Sequence, residues 1–136
     1  MAGVRVPLTA ADVAAMSGGR IVAGDPAVTP GGFSIDSRTI EPGQAFFAIV
    51  AARNGHAFVG DASARGAAMV VVSERVAAAV AGATVVEVAD TTRALQDVAR
   101  AVRRRSGARV VAITGSAGKT TTKEAMATLL EGRFSV

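Results

Sequence analysis

The residues best suited to chemistry lie in the stretch VVAITGSAGKTTTKEAM, Val110 to Met126. An apolar run leads into a turn with two glycines, and a helix-like segment follows. The first N–H groups of a helix have no partner inside it, and the helix dipole favours negative charge, so such a turn can bind an anion. Gly115 and Gly118 let the backbone approach phosphate oxygens closely. The pattern therefore predicts a phosphate-binding loop.

The side chains of this loop extend the prediction. Lys119 is placed to reach the β- and γ-phosphates of a nucleotide, the Thr120 hydroxyl to bind Mg²⁺, and Thr121 to add a phosphate hydrogen bond. The strict spacing G-x-x-x-x-G-K-[ST] would need glycine at Ile113, so the pattern present is the shorter G-x-x-G-K-T. The alternative is an ordinary turn from a strand to a helix, with a solvated lysine.

The distribution of basic residues also marks this stretch. Thirteen of the fifteen basic residues are arginine, and the two lysines, Lys119 and Lys123, both lie in it. The ammonium of lysine is compact, sits on a flexible stem and binds phosphate as a point charge. The planar guanidinium of arginine does not replace it in this role. Codon bias combined with chance is the alternative explanation.

Composition excludes several classes of function. The chain has no cysteine, so disulfides and thiol chemistry are excluded, and a metal would need oxygen ligands or the single histidine, His56. No secretory signal or long apolar span is present, and a reducing cytoplasm fits. Five Phe without Trp or Tyr argue against stacking on nucleic-acid bases. The run Arg103-Arg104-Arg105 fits a helix C-terminus better than a nucleic-acid patch.

Apolar periodicity and turn residues predict an α/β protein with a partly parallel sheet. A capping box at Thr9 and Asp12 and an N-cap at Asp90 mark two helix starts. The predicted helices cover residues 10–17, 56–65, 74–80, 91–106 and 119–130. The predicted strands are Phe33–Ser37, Ala45–Val50, Ala68–Val72, Thr84–Val88 and Val110–Thr114.

The segment ITGSAGKTTTKE resembles the ATP loop of the Mur ligases, the ATP-dependent amide-bond formers of bacterial peptidoglycan synthesis. The upstream part resembles the N-terminal domain of the MurE and MurF branches, which holds the UDP end of the substrate. Ser116 and Lys123-Glu124 are more similar to the MurF branch. The upstream segments that match in order and spacing are Ile35-Asp36-Ser37-Arg38, Pro42-Gly43, Phe46-Phe47-Ala48-Ile49, Gly55-His56, Gly66-Ala67, Asp90-Thr91 and Ala94-Leu95.

The resemblance implies a ligase that joins D-Ala-D-Ala to UDP-MurNAc-tripeptide through an acyl phosphate, with ATP and Mg²⁺ as cofactors. Lys119 and Thr120 would be the catalytic residues, and Thr120 the metal ligand. The nucleotide would be bound by Gly115, Ser116, Ala117, Gly118, Lys119, Thr120 and Thr121. The UDP substrate would be bound by Ile35, Asp36, Ser37, Arg38 and Arg53. A cytoplasmic monomer without nucleic-acid or membrane partners is expected, serving cell-wall biogenesis, cell shape and division.

Two alternatives stay open. One is a MurE-type ligase, which adds a diamino acid to UDP-MurNAc-dipeptide. The other is a UDP-sugar-binding module without enzymatic activity. Near Arg53 the chain departs from the family pattern, because the loop is one residue shorter, lacks a glycine and has Asn54 where relatives carry an acidic residue. The Asp36-Ser37-Arg38 segment could also be a solvated ion pair at a strand end, and His56 a packing residue.

The domain prediction places a UDP-substrate-binding domain at residues 1–88 and the start of the central ATP-binding domain at residues 89–136. The motifs change from those of the substrate-binding domain to those of the ATP-binding domain between Val88 and Gly107, so the boundary is expected somewhere in this range. Set against the family, the sequence predicts an incomplete ligase that ends soon after the ATP loop and is inactive by itself.

Overall fold

A computed structural model describes residues 7–76, 80 and 82–136. They fall into two compact units, one extending to Ser106 and the other comprising residues 107–136. Within the helix predicted over residues 74–80, the described residues 74–76 and 80 are not helical, and residues 77–79 lie outside the described residues. In the part of the chain that the structure describes, no helix is long and apolar enough to cross a membrane.

The larger unit combines helices and strands, and one of its strands, Arg20–Ala23, was not predicted from the sequence. Its helices are α1 (Ala10–Ser17), α2 (Val59–Ala64), which follows a 3₁₀ turn at Gly55–Phe58, and α3 (Thr91–Ser106). Its strands are β1 (Arg20–Ala23), β2 (Phe33–Ser34), β3 (Ala45–Phe47), β4 (Met69–Val72) and β5 (Thr84–Glu87).

The five strands form one sheet in the order β1-β5-β4-β3-β2. Strands β2, β3, β4 and β5 are mutually parallel, whereas β1 pairs with β5 in the antiparallel sense. The partly parallel α/β prediction is therefore confirmed. Because parallel strands end at the same edge of a sheet, the segments after β2, β3 and β4 come together there, which is where α/β proteins bind ligands.

Both faces of the sheet are covered, which explains why the strands are continuously apolar. On one face, Phe47, Met69 and Val71 pack with residues of α1 and α3, among them Val13 and Val98. On the other face, the intervening residues pack against α2 in a second cluster that includes Phe46, Ala48, Val59, Ala62, Val70 and Val72. The strand period of two thus divides the apolar residues between two cores.

Local signals fix the helix ends. Thr9 Oγ1 accepts from Asp12 N at 3.1 Å, and Asp12 Oδ2 accepts from Thr9 N at 3.0 Å, so the predicted capping box is formed. The Thr9 backbone and hydroxyl hydrogen bonds lower the pKa of the Asp12 carboxyl. Gly18 ends α1 with a φ of 65°, in the left-handed region that glycine adopts most readily. Asp90 Oδ1 accepts from Arg93 N at 2.8 Å, as an N-cap does.

The packing of α3 bears on the domain boundary. Ala94 and Val98 are buried in the core beside α1, so α3 is part of the larger unit. The compact units divide after Ser106. The division into functional domains at 1–88 and 89–136 stays a prediction.

The smaller unit contains one helix, α4 (Lys119–Glu131), which matches the predicted one. The predicted strand Val110–Thr114 is not formed, and no helix or strand is present in residues 107–118. Val110 and Val111 are 58% and 60% exposed. An apolar run becomes a strand only by pairing, and no strand of the described chain pairs with this one.

One buried hydrogen bond joins α3 to the sheet edge and gives a stability prediction. Thr91 is 2% exposed, and its hydroxyl donates to the Ala48 carbonyl oxygen at 2.8 Å. Thr91→Val leaves that buried oxygen without this donor, so we expect the free energy of unfolding to fall by about 1–2 kcal/mol in urea denaturation. Thr92→Val, at an exposed position of the same helix, is the matched control. Equal losses in the two variants would contradict the assignment.

Candidate functional site

A cavity of about 380 Å³ lies at the sheet edge where the parallel strands end. Two segments form its polar wall: one follows β2 and the other follows β3. All five residues predicted to bind substrate line it, namely Ile35, Asp36, Ser37, Arg38 and Arg53. The fold thus brings together residues that are fifteen or more positions apart in the sequence.

Apolar side chains complete the cavity. They include Phe46, Ile49 and Phe58, which the sequence did not mark as site residues. Ile35 is 60% exposed, whereas Ser37 is buried at 7%. The sequence did not predict this apolar lining, because an apolar residue fits the core and a pocket equally well. An apolar surface with a few polar groups at its rim is typical of sites for small organic ligands.

Asp36 and Arg38 form a closely fitted pair on the cavity wall. The Arg38 Nε and Nη2 groups donate to the two carboxylate oxygens of Asp36 at 2.9 and 2.7 Å, and the Arg38 backbone N–H donates to Oδ1 at 2.9 Å. This forked arrangement fixes the guanidinium plane. The ion pair that the sequence suggested as an alternative is therefore present, and it lines the cavity.

This pair gives a prediction about titration. Hydrogen bonds from the Arg38 side chain and backbone lower the pKa of the Asp36 carboxyl to about 2. Its folded-state pKa is thus below its unfolded value, so the pair stabilises the fold above the ordinary carboxyl pKa and loses that effect as the pH falls toward 2. We expect Arg38→Gln to raise this pKa toward its ordinary value, as measured by NMR titration of the Asp36 carboxyl carbon. An unchanged pKa would contradict the pairing.

Arg53 provides a second cation at the cavity. Within the described residues its side chain has no ion pair or hydrogen bond, in contrast to Arg38. Its donors are therefore available to a ligand. An arginine with unpaired donors at a concave site suits phosphate oxygens, which a guanidinium binds in forked geometry.

Backbone contacts fix the loop that carries Arg53. Ala51 N donates to the Arg53 carbonyl oxygen at 3.0 Å, and Gly55 N donates to that of Ile49 at 2.9 Å. At Gly55 a Cβ atom would lie 2.6 Å from the Ile49 oxygen, so the chain approaches itself too closely for a side chain. Asn54 lies at the base of the loop and does not line this cavity.

The predicted phosphate loop lies in the smaller unit. Gly118, with a φ of 76°, precedes α4 and supplies the left-handed conformation of the turn. The Lys119 ammonium donates to the Gly115 carbonyl oxygen and so closes the loop. A cavity of about 270 Å³ is lined by Val111, Ile113, Lys119, Thr120 and Lys123. Both lysines of the chain therefore reach one cavity, one helical turn apart.

These residues fit an anionic nucleotide. Lys119, Thr120 and Lys123 line the cavity at the start of α4, where the first N–H groups of a helix lack partners within it. Ser116, Ala117 and Thr121 lie in the turn and the first helical turn, exposed and away from the cavity lining. In the described part of the chain no cluster of three or more His, Asp or Glu could hold a metal. Thr120 as a metal ligand stays a prediction.

His56 proves to be a packing residue in the described fold. Its side chain is 5% exposed, and Ser73 N donates to its Nε2 at 2.9 Å. The ring is therefore fixed between the Arg53 loop and the end of β4. The interpretation of His56 as structural is supported by this geometry.

Comparison with known proteins gives consistent relatives. The chain is 39% identical over 101 residues to UDP-N-acetylmuramoyl-tripeptide--D-alanyl-D-alanine ligase of Rickettsia prowazekii, a match that covers 74% of the chain and 22% of that protein. It is 40% identical over 91 residues to UDP-N-acetylmuramoyl-L-alanyl-D-glutamate--2,6-diaminopimelate ligase of Rhizobium meliloti, covering 66% and 18%. The chain thus spans about a fifth of the length of these relatives. No protein-family model matches the sequence.

Solved structures agree with the sequence relatives. A crystal structure of MurF from Acinetobacter baumannii matches 96% of the chain and 28% of its own length, with a TM-score of 0.85 and 31% identity. MurF ligase from Thermotoga maritima in complex with ADP matches 76% of the chain and 24% of its own length, with a TM-score of 0.65 and 30% identity. The part of these ligases that matches the chain therefore has the same mixed α/β fold around a five-stranded sheet.

Proposed function

Because this chain belongs to the Mur ligase family, we propose that it is the UDP-substrate-binding part, with the ATP loop, of a MurF-type ligase. The complete ligase would be an ATP-dependent enzyme of peptidoglycan synthesis that adds D-Ala-D-Ala to UDP-MurNAc-tripeptide. The observation that carries the proposal is the convergence of two separate segments, Ile35–Arg38 and the loop with Arg53, on one cavity.

The cavity suits the UDP end of such a substrate. Its apolar residues, among them Ile35 and Phe58, can pack against the uracil ring, and Ser37 and its neighbours can hydrogen-bond the polar edges of the ring. Arg53 has donors free for the diphosphate. The Asp36–Arg38 pair would hold the wall in a fixed shape, so that little order is lost on binding.

The second proposed site is the phosphate loop. Lys119 and the first N–H groups of α4 would hold the β- and γ-phosphates of ATP, and Thr120 would bind Mg²⁺. ATP would supply the phosphoryl group that activates the terminal carboxylate of the tripeptide, and the amine of D-Ala-D-Ala would then displace phosphate. The role of Lys119 is to neutralise charge on the transferred group.

The chain by itself is proposed to bind substrate without ligase turnover. It would act in the cytoplasm as a monomer, with no membrane or nucleic-acid partner.

A MurE-type ligase is the second candidate, because a relative that uses 2,6-diaminopimelate is 40% identical. An assay of a complete ligase with this sequence separates the two candidates: D-Ala-D-Ala should be consumed with UDP-MurNAc-tripeptide, and 2,6-diaminopimelate should not be consumed with UDP-MurNAc-dipeptide.

Titration calorimetry of the 136-residue chain tests the proposal. UDP-MurNAc-tripeptide and UDP should bind saturably at one site, whereas CDP at the same concentration should not, because the cytosine ring presents different hydrogen-bonding edges. Absence of UDP binding, or equal binding of CDP, would contradict the proposed function.

A further inference from the structure

We infer that Asn54 and His56 are positioning residues, which fix the Arg53 loop to the end of β4 and so hold the Arg53 side chain at the cavity. This inference rests on the proposed function, because it assigns a task to residues beside the UDP cavity. Neither residue contacts the ligand region, since the cavity is lined by Arg53 and Gly55 but not by Asn54 or His56.

The hydrogen bonds of His56 define its tautomer. Ser73 N donates to Nε2 at 2.9 Å, so Nε2 carries no proton. Nδ1 therefore carries the proton and donates to Asn54 Oδ1 at 2.7 Å. The ring connects the backbone after β4 to the side chain of Asn54, and it is buried at 5% exposure.

Asn54 completes the connection with three further contacts. Its Oδ1 accepts from His56 N at 3.0 Å, and its Nδ2 donates to Glu74 Oε1 at 3.0 Å. Its backbone forms a bridge with Val50, on the opposite side of the loop. The loop is thus tied both to its own base and to the neighbouring strand end.

The network matters because Arg53 directly precedes Asn54. The Arg53 side chain has no hydrogen bond or ion pair among the described residues, so its place depends on the backbone of the loop. A looser loop would have to be ordered when the ligand binds, and that cost would appear as weaker affinity. Losing hydrogen bonds of this kind corresponds to about 3–10-fold in affinity.

The test compares four forms of the chain by UDP calorimetry. We expect Asn54→Ala to raise the Kd for UDP about 3–10-fold. In the double variant Asn54→Asp with Glu74→Gln, the carboxylate at position 54 still accepts from His56. The hydrogen bond between positions 54 and 74 is kept with its direction reversed, because the amide at position 74 now donates to that carboxylate. This variant should therefore restore most of the affinity. Thr84→Val removes a 2.9 Å bond to the Asp25 carbonyl at the opposite sheet edge and should leave the Kd unchanged.

Two readouts of the free chain make the outcome independent of UDP. NMR of the His56 ring should show a proton on Nδ1 in the wild type and in the double variant. Amide hydrogen exchange at Ala51 and Gly55 should accelerate in Asn54→Ala and not in the double variant. If UDP does not bind the wild type, the proposed function fails. The ring NMR and the amide exchange then decide by themselves whether Asn54 and His56 fix the Arg53 loop. Unchanged exchange and unchanged Kd in Asn54→Ala would overturn the inference, as would a proton on Nε2.

Discussion

Replacing Lys119 by alanine in a complete ligase with this sequence is expected to lower turnover about 10–100-fold, which is the size of a lost charge-assisted hydrogen bond. The Kd for UDP-MurNAc-tripeptide should stay unchanged, because the UDP cavity lies among residues 35–58 and shares no residue with the lysine-lined cavity. In the structure the Lys119 ammonium is held at the loop by the Gly115 carbonyl oxygen.

Steady-state kinetics with calorimetry of the same variants measure both quantities. Arg133→Ala, which removes an exposed charge of the same unit, is the control and should retain turnover. Lys119→Arg should restore little, since a planar guanidinium does not fit the place of a compact ammonium. Unchanged turnover in Lys119→Ala would remove this residue from the proposed role.

Replacing Arg53 by alanine is expected to raise the Kd for UDP about 10–100-fold, because the proposed diphosphate contact is a charge-assisted hydrogen bond. Arg53 is exposed and has no ion pair within the described chain, so the free energy of unfolding should change little. Calorimetry gives the Kd, and urea denaturation gives the stability.

Arg104→Ala is the charge-matched control for Arg53. Arg104 is exposed in the last turn of α3, whereas the first turn of that helix lies at the cavity edge of the sheet. Its loss should leave the Kd unchanged at constant ionic strength. Equal weakening by Arg104→Ala and Arg53→Ala would indicate a general effect of net charge and contradict a specific contact.

Much of the fold follows from local signals in the sequence. The capping box at Thr9, the N-cap at Asp90 and the glycine at position 18 act through neighbouring residues, so they are visible without tertiary information. The apolar runs of β3 and β4 predict strands covered on both faces, and both are covered. The convergence of Ile35–Arg38 with Arg53 also follows, because parallel strands end at one edge.

Other features depend on partners that the sequence does not reveal. Strand β1 has four residues, none of them buried, and exists because β5 offers an antiparallel edge. Val110–Thr114 has a stronger strand pattern, yet no strand pairs with it in the described chain. The ring tautomer of His56 is set by Ser73, seventeen positions away, and no spacing rule indicates that contact.

The central claim is that the sheet-edge cavity binds the UDP end of a peptidoglycan precursor, and residue-resolved NMR tests it most directly. Amide shifts of the 136-residue chain should be followed during titration with UDP-MurNAc-tripeptide. The proposal predicts saturable changes concentrated at residues 35–38 and 51–55, with one Kd for all of them. Changes centred elsewhere, or no change at saturating ligand, would contradict it.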